Sequence, residues 1–306
     1  MPHPVAVPEA WPPPPAPDTL RRILVLVRLT RRDALRAIVA TSVGLAAGPV
    51  AYGAAYERHR LVRAEQDIAV SGLPAALDGL RVGLITDIHH SATVSADDVT
   101  RAVNLLRAAN PDLVVLGGDY VTYGNRTYVE PVAELLSPLV SIAPHGAFAI
   151  LGNHDDDRDM AAALARRQFA VLKDQRTTLS IRNESLDLIG IRYWTRSISH
   201  LTALLKGVGP HSILLAHDPR RLRQAAQLDI PLVLSGHTHG GQVLLPGVGA
   251  IAAREFPVLA GYGRDTNTSL FVSRGVGTVY VPVRINCPPE VAVLTLRSTL
   301  RLSQSR

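Results

Sequence analysis

Five short polar clusters in this 306-residue chain hold residue types that bind metal ions: Asp87-Ile88-His89, Asp119, Asn153-His154-Asp155, His217-Asp218 and His237-Thr238-His239. Along an extended strand, residues i and i+2 project to the same side. Asp87 and His89 are therefore expected to converge on one ion while Ile88 turns into the core, and His237 and His239 repeat the pattern around Thr238. Gly117-Gly118 and Gly152 precede Asp119 and Asn153, so the backbone can turn tightly and bring those side chains to the same rim. Imidazole, carboxylate and amide oxygen together suit manganese, iron or zinc better than magnesium or calcium alone. A lone Asp after a strand is usually a cap or turn residue. Five such positions are not explained that way, whereas His3, His59, His145, His200 and His211 lack partner spacing and read as ordinary residues.

The elements that must carry these clusters are short apolar runs. They begin at Arg81, Asp112, Ala147, Ser212 and Ile230, and each runs directly into one cluster. Continuous β-rich runs of this length read as strands buried on both faces. Helical patterns lie between some of them, at Asp97–Ala109 and Asp159–Phe169, and strand–helix alternation implies parallel strands with crossover helices. In such sheets functional groups gather beyond the carboxyl ends of the strands. From Leu232 onward the chain is rich in turns, and a second, more antiparallel sheet is expected there.

The overall charge of +6 suggests a polyanion partner, but residues 1–63 hold nine Arg against four acids and so carry +5 of it. The remaining body is nearly neutral and has no basic field for nucleic acid. With Cys287 as the single cysteine no intrachain disulfide can form, and a small buried hydrophobe is the simplest reading of it. Residues 2–17 hold eight prolines and read as extended or disordered. Ala37–Tyr56 is an uncharged stretch of twenty residues, long enough to just span a bilayer. Its Ala, Gly, Thr41, Ser42 and Pro49 make it weak as a permanent anchor. Thr30-Arg31-Arg32-Asp33-Ala34-Leu35-Arg36 resembles a twin-arginine signal, with Ala34 where Phe is usual. Arg density before the apolar stretch places the N-terminus inside and residues 57 onward across the bacterial membrane.

Asp87-x-His89, Gly118-Asp119, Gly152-Asn153-His154-Asp155, His217 and Gly236-His237-Thr238-His239 together resemble the ordered motif set of calcineurin-like metallophosphoesterases, over roughly Gly79 to Leu296. Ala216-His217-Asp218-Pro219, Ser235 through Gln242 and Val283 through Glu290 are similar to the exported or membrane-associated YkuE/YaeI-like phosphodiesterase branch. The resemblance implies an α/β fold, two mixed β-sheets packed as a sandwich flanked by helices, here preceded by one N-terminal apolar helix. The implied layout is a Pro-rich 1–20, a signal or anchor at 21–63 and the metallophosphoesterase domain at 72–306.

Carried over residue by residue, one ion takes Asp87, His89, Asp119 and His239, and the other takes Asp119, Asn153, His217 and His237, with Asp119 bridging. The two divalent ions, manganese first and iron or zinc as alternatives, would hold a hydroxide for attack on a phosphodiester or pyrophosphate. His154 would assist the leaving group, and Asp155 would support the site. The Asp-Arg-Gly text of protein Ser/Thr phosphatases is absent after Asp119, which leaves His154 without an evident partner. His90 reads as an exposed spectator, and Tyr123, Trp194 and Tyr262 are weaker candidates for the pocket wall. The implied substrate is a phosphorylated small molecule, a lipid or a cell-wall component, with membrane association. Two alternatives change this reading: a lipid A enzyme cleaving the UDP-2,3-diacylglucosamine pyrophosphate, and a metal-binding scaffold without catalysis. Walker-type, nucleophile-elbow and dinucleotide motifs are not found.

Overall fold

The computed structural model describes residues 47–252 and 255–299. The twin-arginine-like text, the Pro-rich start and the first half of the apolar run lie outside them. Residues 1–47 group as one unit and Gly48 onward as another; only the second is described below. Among the described residues, no helix is long and apolar enough to cross a membrane.

The apolar runs become strands because alternate side chains find apolar partners on both faces. The first sheet uses β1 (Val62–Val70), β2 (Arg81–Ile85), β3 (Leu113–Leu116), β4 (Ala147–Ala149) and β5 (Ala170–Val171). Helices α1 (Ala96–Arg107), α2 (Val129–Leu136) and α3 (Asp159–Arg166) make the crossovers from β2 to β5. A reciprocal capping box starts α1: the Ser95 hydroxyl accepts the Asp98 N–H, and the Asp98 carboxylate accepts the Ser95 N–H. The second sheet uses β6 (Gln175–Ile181), β7 (Glu184–Gly190), β8 (Ser212–Leu215) and β9 (Leu232–Ser235), with α4 (Ile198–Leu204) and α5 (Leu222–Gln227) between them. A short hairpin, β10 (Leu244–Leu245) and β11 (Gly249–Ala250), precedes β12 (Gly261–Asp265), β13 (Thr268–Val272) and β14 (Glu290–Ser298).

Strand order is β1-β14-β2-β3-β4-β5 in one sheet and β12-β13-β9-β8-β7-β6 in the other. Strands β2 to β5 are parallel, while β14 runs antiparallel to β2 and parallel to β1. The second sheet is the more antiparallel of the two, as expected, with two antiparallel pairs against one, but its expected start at Leu232 is corrected. The second sheet begins at Gln175, its central pairs β7-β8, β8-β9 and β9-β13 are parallel, and only its two edge pairs are antiparallel. The last long strand returns to the first sheet, because its apolar residues complete the core there. The expected boundary at residue 72 falls after β1, which pairs with β14 along its whole length.

Alternation along β3 shows how the layers form. Leu113 and Val115 enter the cluster between the sheets, with Leu84, Leu215 and Leu234. Val114 and Leu116 enter the cluster under α1 and α2, with Val103 and Leu136. A third cluster joins Leu214 and Val233 to Leu201 and Leu222 on the outer helices. The order is therefore helix, sheet, sheet, helix, in line with the expected sandwich. Each fully buried aliphatic side chain contributes roughly 1.5–3 kcal/mol, and truncating Leu84 or Leu234 to Ala would cost about 2–5 kcal/mol.

Candidate metal centre

The polar clusters meet at the carboxyl ends of β2, β3, β4, β8 and β9, but not by simple alternation along an extended strand. β2 ends at Ile85, and both Asp87 (φ 52°) and His89 (φ 50°) adopt the left-handed conformation. Asp119 (φ 55°), His237 (φ 74°) and His239 (φ 50°) do the same. The i, i+2 convergence thus arises from a chain that curls twice after each strand, with Ile88 buried between. Such backbone costs of order 1–3 kcal/mol per residue and persists only where the surroundings hold it. Here Asp87 N–H donates to Gly118 O at 2.9 Å, His89 N–H to Asp119 O at 3.0 Å, and Gly277 N–H to Asp87 O at 2.7 Å. Glycine is required at two close approaches. A Cβ on Gly152 would overlap the Asp119 carboxylate, and one on Gly236 would overlap that of Asp87.

Two groups of ligand atoms result, each within 4.8 Å: Asp87, His89 and His239, and Asp119, His217 and His237. Asp119 Oδ2 lies 3.0 Å from His217 Nε2 and 3.6 Å from His89 Nε2, so one carboxylate reaches members of both groups. His239 Nε2 and His89 Nε2 face each other at 3.2 Å. The Asn153 amide oxygen is buried without a hydrogen-bond partner. Lone pairs that converge on one another, together with a lone buried acceptor, suit cations and little else. Asp87, His89, Asp119, Asn153, His217, His237 and His239 therefore fit a metal centre as a donor set.

Supporting contacts orient the rings. His217 Nδ1 lies 2.8 Å from Gly117 O, and His89 Nδ1 lies 3.2 Å from the Thr122 hydroxyl, which leaves Nε2 of each for a cation. The Asp155 carboxylate accepts N–H groups from Asp119, Tyr120 and Gly152 at 2.7, 2.8 and 2.9 Å. It fastens the Asp119 loop to the Asn153 loop and makes no contact with the ligand atoms.

The electrostatics follow from burial and crowding. Burial drives the Asp87 carboxyl up to about 6, with the His217 charge opposing and the Asp119 charge adding. For Asp119, burial also disfavours charge, but His217 and His89 outweigh it and hold the carboxyl well below its ordinary range. Burial alone would depress His217; the facing Asp119 and Asp87 carboxylates instead raise it to about 10. Burial lowers His89 to about 3 and His237 to about 4.

His154 lines the cavity beside Asp119 and Asn153. Its partner, which the sequence does not reveal, is a main-chain donor: Tyr123 N–H donates to His154 Nδ1 at 3.1 Å. The neutral ring then carries its proton on Nε2. Burial lowers the His154 pKa, which favours that neutral form. The expectation for His90 is corrected. It is 5% exposed, its Nδ1 lies 2.8 Å from Val94 O, and its ring packs edge-on against Tyr128, because the chain turns inward after the first cluster.

Of the weaker candidates, Tyr123 stacks at 4.8 Å from His154. Trp194 is 65% exposed and packs on Tyr193, whose ring lies 5.2 Å from His237. Tyr262 bonds to Ser269 and is absent from the cavity wall.

Sequence reading passed over Tyr193 and Arg284. Arg284 is fully buried and donates to the carbonyls of Arg274, Gly275, Gly277 and Cys287. Its signal was the distinctive text Val283–Glu290, which identified a branch but suggested no role.

A family model described as calcineurin-like phosphoesterase matches residues 80–241. The metallophosphoesterase YkuE of Bacillus subtilis is 30% identical over 296 residues, spanning 89% of this chain and 99% of that protein. Phosphodiesterase YaeI of Escherichia coli is 31% identical over 225 residues, 71% and 82% of the two chains. A transmembrane protein with metallophosphoesterase domain from Danio rerio is 32% identical over 253 residues, which cover 76% of this chain and 56% of that protein.

Proposed function

This chain belongs to the calcineurin-like phosphoesterase family and is a metal-dependent phosphoester hydrolase; from that premise we propose that it cleaves phosphodiesters or pyrophosphates at a centre of two divalent ions. The observation that carries the proposal is the pair of ligand groups linked by the Asp119 carboxylate, with the Asn153 oxygen buried and unpaired. Manganese is the preferred ion, with iron or zinc able to occupy the same donors. The phosphodiester assignment is supported by the name of the Escherichia coli relative.

When bound, the ion pair supplies a nucleophilic water at neutral pH and neutralises charge on the phosphoryl oxygens. The chain's own residues do the rest. Asp119 offers one carboxylate to both groups. His154, held by the Tyr123 N–H, presents Nε2–H as a hydrogen-bond donor for the oxygen that leaves. Asp155 keeps the Asp119 and Asn153 loops in register. The arginine-rich start followed by an uncharged stretch supports export of the domain across the bacterial membrane, or its tethering there.

Hydrolysis of bis-p-nitrophenyl phosphate by the metal-stripped full chain, reloaded separately with Mn, Fe, Zn and Mg, tests the function. Turnover that returns with metal is expected. Absence of turnover despite two ions bound per chain would overturn the catalytic reading in favour of a binding scaffold.

A further inference from the structure

The cavity over the ligand groups has a volume of about 540 Å³ and two kinds of surface. Its floor is polar, formed by Asp119, Asn153, His154 and the two His of the last cluster. Its walls are Val243, Ile251, Phe256, Val279, Tyr280 and Val281. The polar groups within those walls are already committed. The Gln242 amide accepts the Val279 N–H at 3.0 Å and donates to Val281 O at 2.9 Å. The Thr238 hydroxyl donates to Leu259 O at 2.5 Å and accepts the Gly240 N–H at 3.1 Å. The remaining charged wall residue, Glu255, would repel a phosphate. Among the described residues, then, the walls offer no cation and, apart from the exposed hydroxyl of Tyr280, no further side-chain donor to a nucleotide or sugar, but they do offer apolar area to a hydrocarbon group.

The mouth of this cavity continues the same chemistry outward. Twelve large apolar side chains are exposed among the described residues, and nine of them fall on residues 50–56, 245–251 and 280–281 together with Tyr123. These segments are stitched to one another. Leu244 N–H donates to Ile285 O at 2.9 Å, and Arg284 N–H donates to Gly53 O at 3.2 Å. The helical residues 47–55 approach so closely at Gly53 that a Cβ there would meet Val283, Arg284 and Ile285. Buried Glu57 then accepts the N–H groups of Asn286 and Cys287 at 3.0 and 2.8 Å. The described end of the uncharged stretch, at Gly53, therefore meets the fold two to four residues along the chain from the Val279–Val281 wall. Exposed Tyr52, Tyr56, Tyr123 and Tyr280 suit a boundary between headgroups and acyl chains.

We propose that this face rests on a lipid bilayer, and that the phosphoester brought to the centre belongs to a lipid whose apolar part lies against the Ile251, Phe256 and Val281 wall. The proposal rests on the hydrolase reading above. It joins two independent features, an apolar wall around a polar floor and the point at which the uncharged segment meets the domain.

The Mn-loaded full chain is given p-nitrophenyl methyl phosphate and p-nitrophenyl octyl phosphate, both below micellar concentration. The octyl ester is expected to show a kcat/KM higher by roughly tenfold or more, and Ile251→Lys with Val281→Lys brings that ratio close to one. Equal values in the unaltered chain would overturn the lipid assignment while leaving the hydrolase intact. No turnover of either ester would instead overturn the reading beneath it.

For the bilayer, p-nitrophenyl hexadecyl phosphate is embedded in phosphatidylglycerol/phosphatidylethanolamine vesicles. Val248→Asp with Leu245→Asp, both outside the cavity wall, should lower its turnover about fivefold or more and leave the soluble methyl ester unaffected. Vesicle turnover equal to that of the unaltered chain would overturn docking by this face.

Discussion

The loops that carry the ligands and the segment that braces them, residues 273–290, are built on opposite plans. Residues 86–90 and 236–241 put charged and imidazole groups on left-handed backbone at the ends of parallel strands. Residues 273–290 contribute no ligand. Instead they press glycines against the ligand loops, with Gly275 beside the Asp87 side chain and Gly277 beside the Ile88 carbonyl. Val276 N–H donates to Thr86 O, the Cys287 thiol contacts His239 O, and buried Arg284 gathers the segment's own carbonyls around one guanidinium. Strain is thus located where chemistry is done, and part of the hydrogen bonding that holds it comes from a neighbour that contributes no ligand. Replacing a ligand-side group should therefore remove activity without unfolding the chain, whereas loosening the brace should remove stability first.

The largest expected effect lies on the catalytic side. His154→Ala should lower kcat by about 10²–10⁴-fold, with metal content and melting temperature unchanged by elemental analysis and calorimetry. Loss of metal together with activity would move His154 from catalysis into the bracing.

On the bracing side, Arg284→Met deprives several buried carbonyls of their donor. We expect a loss of about 3–5 kcal/mol, seen as a melting temperature lower by roughly 10 °C and followed by weaker metal retention. Unchanged stability with lost turnover would break the comparison.

Much of the ligand side was legible because its residue types are chemically unusual after apolar strands, and five such clusters in order exclude a structural coincidence. Asp87, Asp119 and His217 could be singled out from type and spacing alone. What stayed hidden depends on main-chain geometry. Left-handed φ at Asp87 and His239 has no signature in residue type, and the Tyr123 N–H that holds His154 belongs to the backbone. Arg284 looked like any surface arginine, because its partners are carbonyls and not a matching acid in the sequence. The strands and the helices at Asp97 and Asp159 were readable from periodicity, whereas the return of β14 to the first sheet depends on long-range core packing.

A smaller effect sharpens the comparison through pH. His217, raised to about 10, stabilises the metal-free fold below pH 6.5, and that contribution is lost as pH rises through 10. Asp87, raised to about 6, likewise stabilises below about pH 4, and its contribution is lost as pH rises through 6. His89 and His237, lowered to about 3 and 4, act in the other direction: their cost appears as pH falls below 6.5. A cation that takes His217 Nε2 must displace its proton. Metal uptake at pH 7.5 should therefore release about one proton per chain, rising toward pH 6 as Asp87 begins to hold one. Calorimetric titration in two buffers of different ionisation enthalpy measures this, and zero release would place the ion away from His217.

The central claim is that two ions share Asp119, and a crystal grown with manganese tests it through anomalous scattering. Two peaks are expected, one among Asp87, His89, Asp119 and His239 and the other among Asp119, Asn153, His217 and His237. A single peak, or peaks away from Asp119, would contradict the account.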